Sequence, residues 1–449
     1  MRRAQFFKYW KSVRSSFWFL PGVMAGVGVA LAFVSVTLDE LMTEWITLNF
    51  GWTFTAAPEG ASAVMSVVAG SMITIAGVVF SMTLVTLSLA SSQLGPRLLR
   101  SFMRDSTTQV VLGTFVATFL YCLIVLRTIR RVEEVAFVPD LSVALGVLLA
   151  VVSVGVLIYF IHHVAVSIQA NEIAARISKE LIEGIDHLFP EHIGREAPMI
   201  PPELPDVGFL EAFDKDAWPV VADGDGYLQF IDGEALLALA MEEDIVVRLE
   251  RIPGNYVVAG RHLALIWPGS RVTDRITDRV RSFFILGNQR TVDQDIEFGV
   301  NQLVEIAVRA LSPGVNDPFT TITCLDRLGS VLCRLATRTM PSHYRHDHQN
   351  QLRVIAPAYT FLEVTDAAFN QILQHSRSNV AVTIRLLETI AMVAEFTHRP
   401  EDRTTLLRHS EMIAREAIEG LPESHARRAL EERYQAAILS CSEAGASCR

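Results

Sequence analysis

The chain has 449 residues, half of them apolar and a fifth charged, with a mean hydropathy of +0.32. That length exceeds one compact core, and the composition excludes disorder and is too apolar for an ordinary soluble enzyme. The net charge of −10 lacks the basic face that nucleic acid requires, so no nucleic-acid partner is expected. The charge is also uneven: residues 1–168 carry 11 Lys and Arg against 8 Asp and Glu, and the remainder carries 28 against 41. This divides the chain into a half expected to lie in a lipid bilayer and an acidic, water-facing half.

Asp, Glu, Lys and Arg are absent from 15–38, 60–96, 106–126 and 141–171. About 20 apolar residues in a helix cross ~30 Å of hydrocarbon. The runs therefore predict membrane helices over 17–38, 62–94, 107–126 and 141–168. The first follows a basic start, as a signal peptide does, but its apolar run exceeds the roughly 7–15 residues of a signal core. A retained helix is expected, with Trp10 and Trp18 bracketing its start at the interface. Basic residues set the orientation. Arg2, Arg3, Lys8, Lys11, Arg14, Arg97, Arg100 and Arg104 fall on one side, and Arg127, Arg130 and Arg131 on the other. Segment 39–59, read as an outer loop, holds only acids. Both termini are expected in the cytoplasm. His162 and His163 end the fourth helix, where they read as interfacial residues or as a pH sensor.

The second helix is the unusual one. Its uncharged run exceeds the bilayer, so it must tilt, kink or project. Ser66, Gly70, Thr74, Gly77, Ser81, Ser88 and Ser92 recur along one face, with Val85 filling the gap. Such a stripe has two readings. It is a close-packing seam, since small residues let backbones approach, or a pore wall, since hydroxyls solvate ions without a fixed charge. A homo-oligomer built around this helix would accommodate both. No acid or base interrupts the four runs, which disfavours proton-driven transport.

After the membrane half, 171–189 reads as an amphipathic helix stopped by Pro190, and 191–219 as a linker. A β-rich unit follows. Asp223-Gly224-Asp225-Gly226 makes a turn, 227–231 a strand, 233–242 a helix and 244–249 a strand. Turns at Pro253-Gly254 and Gly260 then bound two more strands. The pattern resembles small barrels of the biotinyl-carrier kind, but no lysine stands in the tight turn, so no cofactor is expected. From 270 the chain reads as helical. On a helix over 292–311, Asp293, Glu297, Asn301, Glu305 and Arg309 line one face; Asp317 caps the next helix, with Pro318 at its first position. With Arg290 and Asn316, these residues mark a possible ligand or subunit contact, set against the plainer reading of a solvated face and a helix cap. His343, His346 and His348 form only a weak metal candidate in a polar loop. Cys122, Cys324, Cys333, Cys441 and Cys448 show no CxxC spacing, so neither a disulfide nor a zinc site is expected. No catalytic constellation can be argued from spacing, and no enzyme activity is expected.

The expected fold is a mainly α membrane protein: four transmembrane helices over 1–168, a juxtamembrane helix and linker over 169–218, a small β-barrel-like unit over 219–269, and a helical cytoplasmic bundle over 270–449.

The stretch SMITIAGVVFSMTLVTLSLASSQLGPRLLRSFMRD at 71–105 resembles a bacterial family of predicted membrane proteins, domain of unknown function 2254. GYLQFID at 226–232, PGNYVVAGRHLALIWP at 253–268 and RTVDQDIEFGVNQLVEIAVRALSPGVNDPFT at 290–320 are similar to its cytoplasmic signatures. The resemblance implies a bacterial inner-membrane protein with a cytoplasmic part, and no substrate, reaction or catalytic residue. Two functions follow from the residues: an oligomeric channel or passive transport protein, or a membrane-anchored sensor or scaffold without a pore.

Overall fold

The computed structural model of the chain describes residues 17–49, 58–94, 105–132, 135–167, 169–188, 207–357, 359–377, 379–420 and 424–443. Trp10, the basic residues from Arg2 to Arg14 and from Arg97 to Arg104, Pro190, most of the expected linker and Cys448 lie outside them. The chain divides into two compact units, one within residues 5–169 and one from 170 onward.

The N-terminal unit holds four helices: α1 (Phe19–Asn49), α2 (Pro58–Leu94), α3 (Ser106–Thr128) and α4 (Asp140–Ser167). Each contains a span long and apolar enough to cross a membrane: Phe19–Leu41, Pro58–Leu89, Ser106–Thr128 and Asp140–Ser167. These are the helices that the uncharged runs predict. One boundary differs. Residues 39–49, read as outer loop, continue α1 and carry Asp39, Glu40 and Glu44 into it. Leu, Met and Glu are good helix formers, and no Pro or Gly interrupts the chain there. Between α3 and α4 a short hairpin pairs β1 (Arg130–Val132) with β2 (Val135–Phe137). Helix α3 is central and touches the other three. Its Val111, Leu112 and Phe115 pack with Met72, Ala76 and Val79 of α2 and Phe160 and Val164 of α4. Further along, Tyr121, Cys122 and Val125 meet Ala32 and Val36 of α1 and Met65 and Ala69 of α2.

The C-terminal unit opens with α5 (Ala170–Leu188), the expected amphipathic helix, whose Ile173, Ile177, Leu181 and Ile185 are buried. Within the expected linker α6 (Val207–Asp216) is formed, and β3 (Trp218–Val221) begins at its end. Then come β4 (Gly226–Ile231), α7 (Gly233–Glu242), β5 (Val246–Leu249), β6 (Tyr256–Val257), β7 (His262–Trp267), α8 (Asp274–Ser282) and β8 (Phe284–Gly287). Helices α9 (Ile296–Ala310) and α10 (Pro318–Ala336) precede a hairpin of β9 (Tyr344–His346) and β10 (Leu352–Ile355). Helices α11 (Phe361–Ser376), α12 (Val380–Glu395), α13 (Pro400–Gly420) and α14 (Ser424–Glu443) complete it.

Among the described residues of this unit the strands form two open sheets, in the orders β3-β7-β5-β10-β9 and β6-β4-β8, and the expected barrel-like closure is not seen. Strand β10 lies parallel to β5, with Val354 opposite Val247. Half of the expected polar loop at 343–348 is the edge strand β9. Val220, Leu228, Leu239, Val247, Ile266, Val280 and Val354 share one core, so α8 and β10 are packed with the β region. Helices α5 and α9–α14 pack separately, with α9 and α10 against α5 and α12 against α10 and α14.

Candidate functional site

Helix α2 has two unlike faces. Ala61, Met65, Ala69, Met72, Ala76 and Val79 are buried in the bundle. Ser66, Gly70, Thr74, Gly77, Ser81 and Ser88 are all exposed on the single chain. The side chain of Ser92 lies outside the described residues. A Cβ added at Gly70 or Gly77 would meet nothing within 4 Å. The tight approaches within the bundle lie elsewhere. A Cβ at Gly28 of α1 would stand 2.7 Å from the Ala117 carbonyl oxygen of α3, and one at Gly146 of α4 would stand 2.9 Å from Met65 Sδ. The stripe of α2 is therefore not the seam that packs the four helices together. Thr74 Oγ1 donates to the Gly70 carbonyl at 2.8 Å, which satisfies its proton and leaves the oxygen on the outward face.

Two polar clusters tie the ends of the bundle. At one end, Asp39 of α1 is buried, and its carboxylate accepts from Leu141 N at 2.9 Å, Ser142 N at 2.9 Å and Ser142 Oγ at 2.5 Å. Tyr121 donates to the Ser142 carbonyl at 2.9 Å and lies 3.0 Å from Ser35 Oγ. At the other end, Asp105 caps α3, and His163 Nε2 of α4 stands 2.8 Å from its Oδ2 and 3.2 Å from Ser167 Oγ. Burial works against the charge on Asp105, but bonds from His163, Thr108 and Thr107 hold its carboxyl below the ordinary value. His163 is thus partnered. His162 is exposed.

In the C-terminal unit, the expected polar row is broken at its start. Helix α9 begins at Ile296 with Asp295 as its cap, so Asp293 precedes the helix and is off the row. Asn301 donates to Glu297 at 3.1 Å and Arg309 to Glu305 at 3.2 Å, which leaves the row bonded to itself. Arg290 turns to Asp295 in a two-pronged pair, at 2.7 and 2.8 Å, and reaches Glu297 at 3.6 Å. The Asp295 side chain is 1% exposed. Tyr359, before α11, donates to the Pro253 carbonyl at 3.0 Å and stands 3.4 Å from Asp295. Burial, reinforced by the Asp295 charge, pushes the Tyr359 phenol well above its ordinary value. Gly254 fits here because its φ of +97° suits glycine and a Cβ would strike Asp295. The sequence marks Gly254 only as a turn residue, and it does not mark Asp295 or Tyr359. An Asp just before an apolar-periodic run is a cap signal that could have found Asp295; nothing local points to Tyr359.

Asp317 caps α10 by accepting from Phe319 N and Thr320 N at 3.1 Å each. The Thr320 hydroxyl, 2.6 Å away, holds its carboxyl below the ordinary range. Asn316 precedes it with a φ of +49°. Its position and that of Asp317 are those of a turn and a cap. His343, His346 and His348 flank or lie on β9, and Asp347 is taken up by Gln349 N, Gln351 N and Arg353. Among the described residues no group of three His, Cys, Asp or Glu is placed to hold a metal. Cys122, Cys324, Cys333 and Cys441 are free thiols.

A family model described as "Predicted membrane protein (DUF2254)" matches residues 14–392. An uncharacterized protein of Mycobacterium tuberculosis and one of Mycobacterium bovis are each 33% identical over 418 residues, covering 90% of this chain and 77% of theirs. No solved structure matches. The sequence and the four apolar helices agree with that description, and the chain belongs to the DUF2254 family of predicted membrane proteins.

Proposed function

We propose that this chain is a subunit of an oligomeric channel or passive transport protein of the bacterial inner membrane. Both termini lie in the cytoplasm in this reading, and the C-terminal unit assembles and gates the oligomer. The observation that supports it is the outward face of α2, where Gly70 and Gly77 have open space beside Ser66, Thr74 and Ser81. Small and hydroxyl residues gain little from lipid tails and are the residues of helix interfaces and water-lined paths. The span in α2 also has 32 residues, about 48 Å at ~1.5 Å per residue, so it crosses ~30 Å of hydrocarbon only when tilted or projecting.

Purified protein in planar bilayers is expected to conduct. Gly77→Leu is expected to give an intact but silent oligomer, because an apolar constriction dewets a pore. Absent conductance from the wild type, together with dissociation of Gly77→Leu, overturns the channel and leaves a packing seam in a scaffold.

A further inference from the structure

Strands β3 and β5 end, and β7 begins, beside the turn that joins β6 to β7. Leu249 lies opposite Ala264, and Glu250 N donates to the Leu263 carbonyl at 2.9 Å, so the line of pairing, continued past the end of β5, leads from Arg251 to His262. His262 also pairs with Val221 of β3. Gly260, with a φ of +80°, lets the turn double back, and Arg261 N closes it onto the Val258 carbonyl at 3.0 Å. The result is a partly open cavity of about 180 Å³ lined by Glu250, Arg251, Gly260, Arg261 and His262.

The charges around it do not balance internally. Glu250 is engaged by Arg248 at 2.9 Å. Arg251 Nε is buried with no hydrogen-bond partner, and among the described residues neither Arg251 nor Arg261 has an ion-pair partner. Buried polar groups in folded proteins nearly always have partners, so an orphaned guanidinium N–H beside a cavity marks a missing acceptor. Arg251 follows the end of β5 by two residues and keeps the numbering parity of Val247 and Leu249, whose side chains enter the core.

We propose that this cavity is an oxyanion site of the phosphate class. Two guanidiniums and an imidazole offer donors on several sides, which suits a tetrahedral dianion better than a planar, singly charged carboxylate. At about 30 Å³ of liquid volume per water, the cavity has room for about six water-sized atoms, enough for the five heavy atoms of phosphate; it is well below the ~300–1,000 Å³ of drug-sized sites. The site is independent of the channel reading, because binding is measured without conductance.

The test is calorimetric titration of the full chain in detergent with inorganic phosphate, in phosphate-free buffer at matched ionic strength. Saturable binding is expected, weakened at least tenfold in Arg261→Gln and in Arg251→Gln and unchanged in Arg275→Gln, an exposed residue of α8. Arg261 is exposed, so its variant folds even where Arg251→Gln does not. Absence of saturation at millimolar phosphate, or unaltered binding in Arg261→Gln, overturns the site. Titration with glycerol 3-phosphate separates the sources: tighter binding than phosphate assigns a phosphomonoester, and weaker binding assigns the free ion.

Discussion

Asp39 of α1 caps a helix to which it does not belong, accepting the Ser142 amide at 2.9 Å and the Ser142 hydroxyl at 2.5 Å at the start of α4. A helix start leaves amide N–H groups unpaired, and the helix dipole favours negative charge there. In an apolar surrounding, both the amides and the carboxylate would be costly alone. Together they satisfy each other, and Tyr121 brings α3 into the same cluster through the Ser142 carbonyl.

Asp39→Ala is therefore expected to cost about 2–4 kcal/mol, combining a lost cap with amides left unpaired. Asp39→Asn keeps one acceptor oxygen and should fall between. The measurement is unfolding of the detergent-solubilised protein; an Asp39→Ala variant as stable as wild type would refute the cap.

Asp295 is buried and held by Arg290 and the Phe298 amide of α9. Asp295→Ala leaves the half-buried Arg290 guanidinium with only the longer Glu297 contact and removes the cap of α9, so a loss of about 3 kcal/mol is expected. Tyr359→Phe removes one bond to the Pro253 carbonyl and should cost about 1 kcal/mol. Denaturant titration of each variant decides this, and a double-mutant cycle on Arg290 and Asp295 should show strong coupling.

His409 on α13 is fully buried, 2.8 Å from Asp366 and edge-on to Phe369. Burial lowers its pKa, an effect that the Asp366 bond only partly offsets and that the Arg408 charge reinforces. The unfolded histidine titrates near ~6.5, so below that pH the unfolded chain binds a proton that the folded chain refuses. The stability is complete above about pH 6.5 and falls as the pH drops towards the lowered folded value. His409→Gln is expected to flatten that part of the pH–stability curve; an unchanged slope would show that another group controls it.

The membrane helices were legible because long uncharged runs have few other uses. The end of α1 was not, because Asp39, Glu40 and Glu44 read locally as loop, and their place depends on a partner about a hundred residues on. Strand β10 was hidden for a similar reason: Leu352–Ile355 is short, and its partner β5 lies about a hundred residues earlier. The cap and first proline of α10 were readable, since Asp317 and Pro318 act within one turn. Arg290 stands out in the sequence beside the polar row, yet its partner Asp295 does not, because the row by itself suggests a helix start at 292, four residues early. For Arg251, only the fold shows that a charged side chain just past the end of β5 has a buried Nε beside a cavity.

The proposed orientation can be read by labelling. Glu59 and Ser442 are both exposed on their own units. In a cysteine-free background, a cysteine at 59 is expected to react with an impermeant maleimide in intact cells, and one at 442 only after lysis. Labelling of position 442 in intact cells would reverse the topology.

The sharpest comparison uses one substitution at two glycines. Gly28→Leu places a side chain where even a Cβ would stand 2.7 Å from the Ala117 carbonyl, so α1 and α3 must separate. Overpacking of this kind costs about 1–3 kcal/mol, and more where backbone must move. Gly77→Leu enters open space and is expected to leave the single subunit within about 0.5 kcal/mol of wild type. Its effect should surface only in the oligomer or its conductance. Unfolding measured in detergent at dilutions where subunits separate isolates the first quantity, and native mass at higher concentration reads the second. Thr74→Asp then distinguishes wet from dry. On a water-lined face it is tolerated and favours cations, whereas in a dry seam an unpaired carboxylate breaks the assembly. Equal damage to the dilute subunit from Gly28→Leu and Gly77→Leu would mean that the face of α2 bearing Gly77 is packed within the chain, and the outward placement of the stripe would fall.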